Sequence, residues 1–377
     1  MDNVVITIGN LSDLTGPSSN AMEIINMALK DLINYYNENH IIPGIELKMI
    51  VYDGQMDPAK DIPGYEWLLD KGADLIFTAV PATPLTLKPV VDRDQVVLLA
   101  ASGNREELMP PGYAFSLGNV PQCEAYILLE WIANNDWDYQ ANGPAKIGGA
   151  TWQDGYSDAF FRAMEQYCSE HPDQFEWVSG YLTNFSFAWG PEVQALKECD
   201  YVFPPALMSS FVKEYRDAGY SARFIGTDVH CAFFNLLHDS NLWNEIDQMT
   251  LVRSTQWWNE EGEIIDLTKE LLYENHPGDA ENIMRRGNVY LGTVPCYQML
   301  NIVAHAVNTV GAENVDDQAL YDAAQSFSLT IDGVDRYSLG ATKRTSVDHY
   351  AIFQVDAQAK DIIRADSQWY VENCPQK

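Results

Sequence analysis

The chain has 377 residues, 46% of them apolar, and carries 54 Asp plus Glu against 23 Lys plus Arg, a formal net charge of −31. That length favours two domains, and the apolar share is enough to fill their cores. So negative a surface repels phosphate backbones and anionic lipid, which excludes nucleic acid as a partner, and no run of about 18 apolar residues is present to span a bilayer.

In chain order, residues 4–8 read as a short apolar strand and residues 9–19 (GNLSDLTGPSS) as a loop dense in turn formers. Met22, Ile25, Leu29, Leu32 and Tyr36 recur every three or four residues, which predicts a helix packed on a sheet. Pro43-Gly44 breaks the chain before a strand at 46–52, a loop at 53–58 and a helix over 59–71. The stretch 73–105 then organises the first half: a buried strand at 75–80, a helix over 86–94, a second buried strand at 96–101 and a Ser-Gly-Asn loop. Both apolar runs are short and lack polar alternation, as parallel strands covered on both faces do. They form a βαβ unit, and ligands of such sheets sit beyond the carboxyl ends of the strands. Residues 81–83 and 102–104 therefore share a mouth furnished with hydroxyls, an amide and backbone N–H groups, suited to holding a small polar ligand rather than to catalysis.

One further strand at 114–117 and a linker at 118–121 lead into a helix over 123–134, after which the pattern begins again. Strands at 146–151, 177–182, 201–203 and 223–226 alternate with helices over 157–167, 191–198 and 208–218. The repeated alternation predicts an α/β protein of two doubly wound, Rossmann-like lobes, with two crevices facing each other as one cleft. A strand near 250–254, helices near 263–273, 289–310 and 318–327, and a last strand at 349–355 complete the reading.

Motifs of enzymatic chemistry are missing: no G-x-G-x-x-G, Walker A or G-x-S-x-G follows a strand, and no H-E-x-x-H occurs. Asp228, His230 and Cys231 lack further spaced ligands and read as a packed histidine beside a buried thiol, so neither metal nor cofactor is expected. The six cysteines make no CxxC and read as buried free thiols, with disulfides left open if the chain is exported. Aromatic residues at Tyr181, Phe185, Phe187, Trp189, Trp257 and Trp258 fall in loops, where they serve as core or surface cover more often than as pocket wall. The start, Met1-Asp2-Asn3, lacks the basic and apolar regions of a signal peptide, which leaves a cytoplasmic protein or one whose export segment lies outside this sequence.

The ordered segments ITIGNLSDLTGPSS, VYDGQMDPA, GADLIFTAV, VVLLAAS, GYAFSLGNVPQ, KIGGATWQDGYSDAFFRAM, CDYVFPPA, DAGYSARFIGTD, CYQMLNIVAHAVNTVG and HYAIFQVD together resemble the type I periplasmic binding proteins, specifically the leucine/isoleucine/valine-binding receptors of ABC transporters. The resemblance implies two lobes joined by three crossovers, near 117–121, 251–254 and 330–334. The first lobe takes residues 1–120 and 255–331, and the second 121–254 and 332–377. It implies a monomeric periplasmic or extracellular receptor, free or lipid-anchored, that closes on a small carboxylate-bearing solute and delivers it unchanged to an ABC permease; a ligand-sensing regulatory domain of the same fold is the alternative, and an enzyme a remote one. Carried over position by position, Thr83, the loop Ser102, Gly103 and Asn104, and Arg105 hold the ligand carboxylate from the first lobe. Trp152, where the family has a Tyr, and Asp228, matching an acid that pairs with a ligand ammonium, contribute from the second. Thr83 as a hydroxyl satisfying its own turn, and Asp228 as a turn acid after Gly226-Thr227, stay open beside these roles.

Overall fold

Uninterrupted apolar runs of three to five residues are too short to bury as helices and satisfy their backbones by pairing inside a sheet, and here they do so twice, each time in a sheet with five parallel strands. In the computed structural model, which describes residues 3–371 and 374, the chain divides into two units: one runs to Val120 and takes back Glu260–Met284 and Val289–Asp348, the other holds Pro121–Asn259, Arg285–Asn288 and the chain from His349.

The first unit is built on β1 (Val4–Ser12), β2 (Ile45–Asp53), β3 (Leu75–Thr78), β4 (Leu98–Ala100) and β5 (Ala114–Ser116), parallel in the order β2-β1-β3-β4-β5. Between them run α1 (Ser19–Glu38), α2 (Pro58–Asp70) and α3 (Thr83–Asp94). The α2 helix starts where a helix should: the Asp57 side chain accepts from the Ala59 N–H at 3.0 Å, and Pro58 occupies the first turn. Tyr65 and Leu68 of α2 and Leu87 and Val91 of α3 are buried against Leu11, Ile76 and Leu98, each such burial contributing about 1.5–3 kcal/mol. The first strand runs four residues past the 4–8 predicted, through Gly9-Asn10. Its unbroken register with β2, from Val4 opposite Ile45 to Ser12 opposite Asp53, outweighs the turn preference of those two residues.

A hairpin, Ser328–Ile331 with Val334–Ser338, stands where the sequence reading put the third crossover. Its two-residue turn has Asp332 at φ 52° and Gly333 at φ 77°, the left-handed conformations that such a hairpin turn requires and that Asp and Gly tolerate. Residues 332–348 group with the first unit, not the second, because they are tied beside β5. The Ser116 N–H donates to the Arg344 carbonyl (2.8 Å), the Ser346 N–H to the Ser116 carbonyl (2.9 Å), and the Ser346 hydroxyl to Gln298, which itself donates to the Leu117 carbonyl.

The second unit repeats the arrangement. Strands β6 (Ala145–Trp152), β7 (Phe175–Thr183), β8 (Tyr201–Phe203), β9 (Arg223–Thr227) and β10 (Thr250–Arg253) lie parallel in the order β7-β6-β8-β9-β10. The strand His349–Asp356 adds to β10 antiparallel, and Asp361–Arg364 adds to that in turn. The helix α4 (Pro121–Asn135) packs on the helix Gly155–Glu170. Cys168, Cys199, Cys231 and Cys296 are buried thiols as read, but Cys123 in the first turn of α4 and Cys374 form a disulfide. It closes a loop across a sequence separation of 251 residues. Cys123→Ser, or reduction, is expected to lower the stability of this unit by about 2–5 kcal/mol, visible as an earlier melting transition in reducing buffer.

Candidate functional site

In a sheet ordered second, first, third, fourth, fifth, the strand order reverses between the first and third strands, and that is where the carboxyl-end loops part. Each unit has one such switch point. In the first it lies between Ser12 and Thr78, in the second between Trp152 and Phe203.

At the first, Asp13 is fully buried and accepts from the N–H groups of Gly16 and Ser18 and from the Ser18 hydroxyl, which moulds the loop into α1. Asp53 does the same for Leu14 and Thr15. Ser102, Gly103, Asn104 and Arg105 follow β4, directly beside the end of β3, since Ala101 N–H donates to the Thr78 carbonyl at 2.9 Å. A Cβ on Gly118 would stand 1.7 Å from the Ala101 carbonyl oxygen, so only glycine lets the chain leave this unit across that loop. The Asn104 side chain accepts from the Glu106 N–H and shapes the turn that Arg105 begins. Among the described residues no hydrogen bond uses the Ser102 hydroxyl or the N–H groups of Ser102 and Gly103, so three donors remain open at the carboxyl end of β4.

Thr83 is placed differently. It begins α3, is buried, and its hydroxyl donates inward to Asp61 of α2 at 3.4 Å. Burial raises Asp61 to about 6, against hydrogen bonds from Thr86 and Thr83 that pull it down. The bond runs to α2 and not within the turn that Thr83 itself occupies.

At the second switch point Trp152 ends β6, half-buried, with its indole N–H donating to the Ser186 carbonyl (2.8 Å). Phe185 and Phe187, 70% and 50% exposed, lie 4.7 and 5.5 Å from it, ring centre to ring centre, making an open aromatic platform. Trp189, Trp257 and Trp258 are core; the indoles of the latter two donate to Asp361 and to the Gly287 carbonyl. His230 and Cys231 are core as well. The imidazole accepts from the Thr227 N–H and meets the Pro204 carbonyl, and burial lowers it to about 4 while pushing the Cys231 thiol to about 12. Among the described residues no cluster of three metal-ligating side chains occurs.

Asp228 opens the short helix after β9 and is nearly buried. Its carboxylate pairs with the guanidinium of Arg253, the last residue of β10, and accepts from Asn288 at 3.2 Å, while Asn288 also donates to the Asp228 carbonyl (2.8 Å). Arg253 has no exposed surface and lies over the rings of Trp257 (4.6 Å) and Phe353 (5.5 Å). Next to this pair, Glu124 of α4 is hydrogen-bonded to the Tyr156 hydroxyl, which also reaches the Thr227 hydroxyl at 2.9 Å. Complete burial raises Glu124 well above the usual carboxylate range, and its other oxygen has no hydrogen-bond partner among the described residues.

Arg253, Asn288, Glu124 and Tyr156 were not singled out from sequence. The one available signal was the charge ending the apolar strand TLVR, since a buried cation needs an anion and Asp228 needs a cation.

A family model described as periplasmic binding protein matches residues 5–360. Among solved structures, a branched-chain amino acid ABC transporter protein from Thermus thermophilus with bound valine superposes with a TM-score of 0.83 at 16% identity, covering 98% of this chain and 97% of that one. A solute-binding protein from Rhodopseudomonas palustris HaA2 in complex with p-hydroxybenzoic acid gives 0.79 at 10%, covering 98% of each chain. Another, from R. palustris in complex with benzoate, gives 0.78 at 12%, covering 99% and 98%. A search of curated proteins by sequence returned no match. With paired doubly wound units and a family match over nearly its whole length, the chain belongs to the periplasmic binding protein family, in its type I fold.

Proposed function

We propose that this protein is the extracytoplasmic solute-binding receptor of an ABC importer, taking a small carboxylate-bearing solute, an amino acid or an aromatic or other organic acid, by lobe closure. The observation that carries this reading is the open donor set on Ser102 and Gly103: a hydroxyl and two adjacent N–H groups at a strand end make a natural cradle for a carboxylate. The platform of Trp152, Phe185 and Phe187 offers apolar contact for the rest of the solute. The named ligands of the structural neighbours, valine, benzoate and p-hydroxybenzoic acid, all carry a carboxylate and support the class. The disulfide suits an oxidising compartment. The receptor releases its solute unaltered to a membrane permease and acts as a monomer.

A thermal-shift screen of amino acids and of aromatic and aliphatic acids tests this. A solute at about 100 times its Kd adds about 2.7 kcal/mol, and each kcal/mol moves the midpoint by roughly 2–4 °C in domains of this size. A flat response to every carboxylate would sink the proposal. With the best solute in hand, Trp152→Ala is expected to weaken binding by about 0.5–1.5 kcal/mol in calorimetry.

A further inference from the structure

We propose that Arg253 sets the ligand class of this receptor: by neutralising Asp228 it excludes solutes that carry an ammonium group and reserves the second unit's half-site for acids without an amine. This rests on the reading above, that the solute is a carboxylate bound at the strand ends. An ammonium leaving water for a closed site needs a carboxylate whose charge is not already spent, because an uncompensated buried cation is strongly disfavoured. Of the strand-end carboxylates Asp228, Asp154, Glu124, Asp13 and Asp53, Asp228 has its charge met by a cation, while the others accept from neutral N–H and O–H groups. Asp228 holds Arg253 and Asn288. Asp154 accepts from both the N–H and the hydroxyl of Ser157. Glu124 is enclosed with Tyr156, and in the first unit Asp13 and Asp53 bind their own loops.

Arg253 cannot swing aside to free Asp228. Its guanidinium is fully buried, donates to the Thr255 hydroxyl at 2.8 Å, and is flanked by Trp257 and Phe353. This half-site reaches solvent at the uncharged platform of Trp152, Phe185 and Phe187, with Asp154, two positions beyond Trp152, exposed as well. Aromatic or branched aliphatic acids match the platform. Competing attractions are that of a ligand cation for the aromatic faces, which at so exposed a platform amounts to a few-fold in affinity, and that of the exposed Asp154 carboxylate, which is screened by water.

The test uses solute pairs that differ only in the amine: phenylalanine against 3-phenylpropanoate, and leucine against 4-methylpentanoate. In calorimetry on the intact wild-type protein, the amine-free member of a pair is expected to bind at least tenfold more tightly. In Arg253→Met, which leaves Asp228 without its cation, the preference is expected to shrink or reverse, and in the double variant Arg253→Met/Asp228→Asn to return. Should the single variant fail to fold, the wild-type ratio decides alone. An amino acid bound as tightly as its amine-free partner, or more tightly, would overturn the inference while leaving the receptor reading intact. Silence of all four acids together with a flat thermal-shift response to every other carboxylate would overturn the carboxylate reading and the inference with it.

Discussion

Asp228→Ala is expected to destabilise the second unit by about 3–5 kcal/mol, because it strands the fully buried guanidinium of Arg253 without its counter-charge. The attraction within the pair is not the main quantity here. Both groups are already out of water, so what the substitution exposes is the desolvation penalty of the survivor. For the same reason Arg253→Met/Asp228→Asn, which removes both charges at similar volume, is expected to cost far less than either single change. Urea unfolding followed by tryptophan fluorescence of the wild type, Arg253→Met, Asp228→Asn and the double variant measures all four corners of the cycle, with Trp257 as an internal reporter against Arg253. Single-variant losses that simply add in the double variant would show that the pair is not coupled.

Glu124→Gln is expected to flatten the pH dependence of stability and to raise stability at alkaline pH. Burial lifts the folded-state pKa of Glu124 well above its ordinary value of 4.5, with the neighbouring Asp228 adding to the rise and Tyr156 and Arg253 opposing it. A carboxyl raised in this way keeps its proton when folded and loses it when unfolded, so the folded state binds more protons. Stability contributed by the protonated group is therefore complete below about pH 4.5 and is lost as pH rises towards the folded-state pKa, at roughly 1.4 kcal/mol per pH unit. Glutamine stays neutral throughout and can still donate to the Tyr156 oxygen, which leaves the Tyr156 proton for Thr227. Melting midpoints across pH 4 to 9 check this; parallel curves for wild type and variant would show that Glu124 titrates normally.

The two units respond to pH from different places. Asp61, raised by burial to about 6, adds a smaller slope of the same sign to the first unit, lost between its ordinary value of 3.8 and 6. Its influence reaches the loop that opens α3, because the Thr83 hydroxyl is the group that Asp61 holds. The Thr83 hydroxyl is thus bonded inside the unit, whereas among the described residues no hydrogen bond uses the Ser102 hydroxyl or the N–H groups of Ser102 and Gly103.

Most of the fold was legible because it depends on local pattern. The runs LIFT and LLA could be buried strands and little else, the stripe from Met22 to Tyr36 could only be a helix on a sheet, and their alternation leaves few topologies. The same logic placed the loops after β3, β4, β6 and β9, and so found Ser102, Gly103, Trp152 and Asp228 at strand ends. It failed where partners are distant. Nothing within 20 residues of Cys123 announces Cys374, and the hairpin at 328–338 carries its turn signal, Asp332-Gly333, in a stretch whose strands are short and half-exposed.

From its residues alone the chain determined a two-unit α/β architecture and the carboxyl-end loops that carry the candidate site, and its net charge sets the expectation that nucleic acid is not a partner, since these follow from periodicity, turn chemistry and charge. Only the tertiary structure decided the state of the polar groups in those loops. Whether a carboxylate is free to meet a solute depends on what the fold brings against it, and neither Arg253, 25 positions beyond Asp228, nor Asn288, 60 beyond, is a neighbour in sequence. A charge can be counted from sequence, but its compensation is a property of packing.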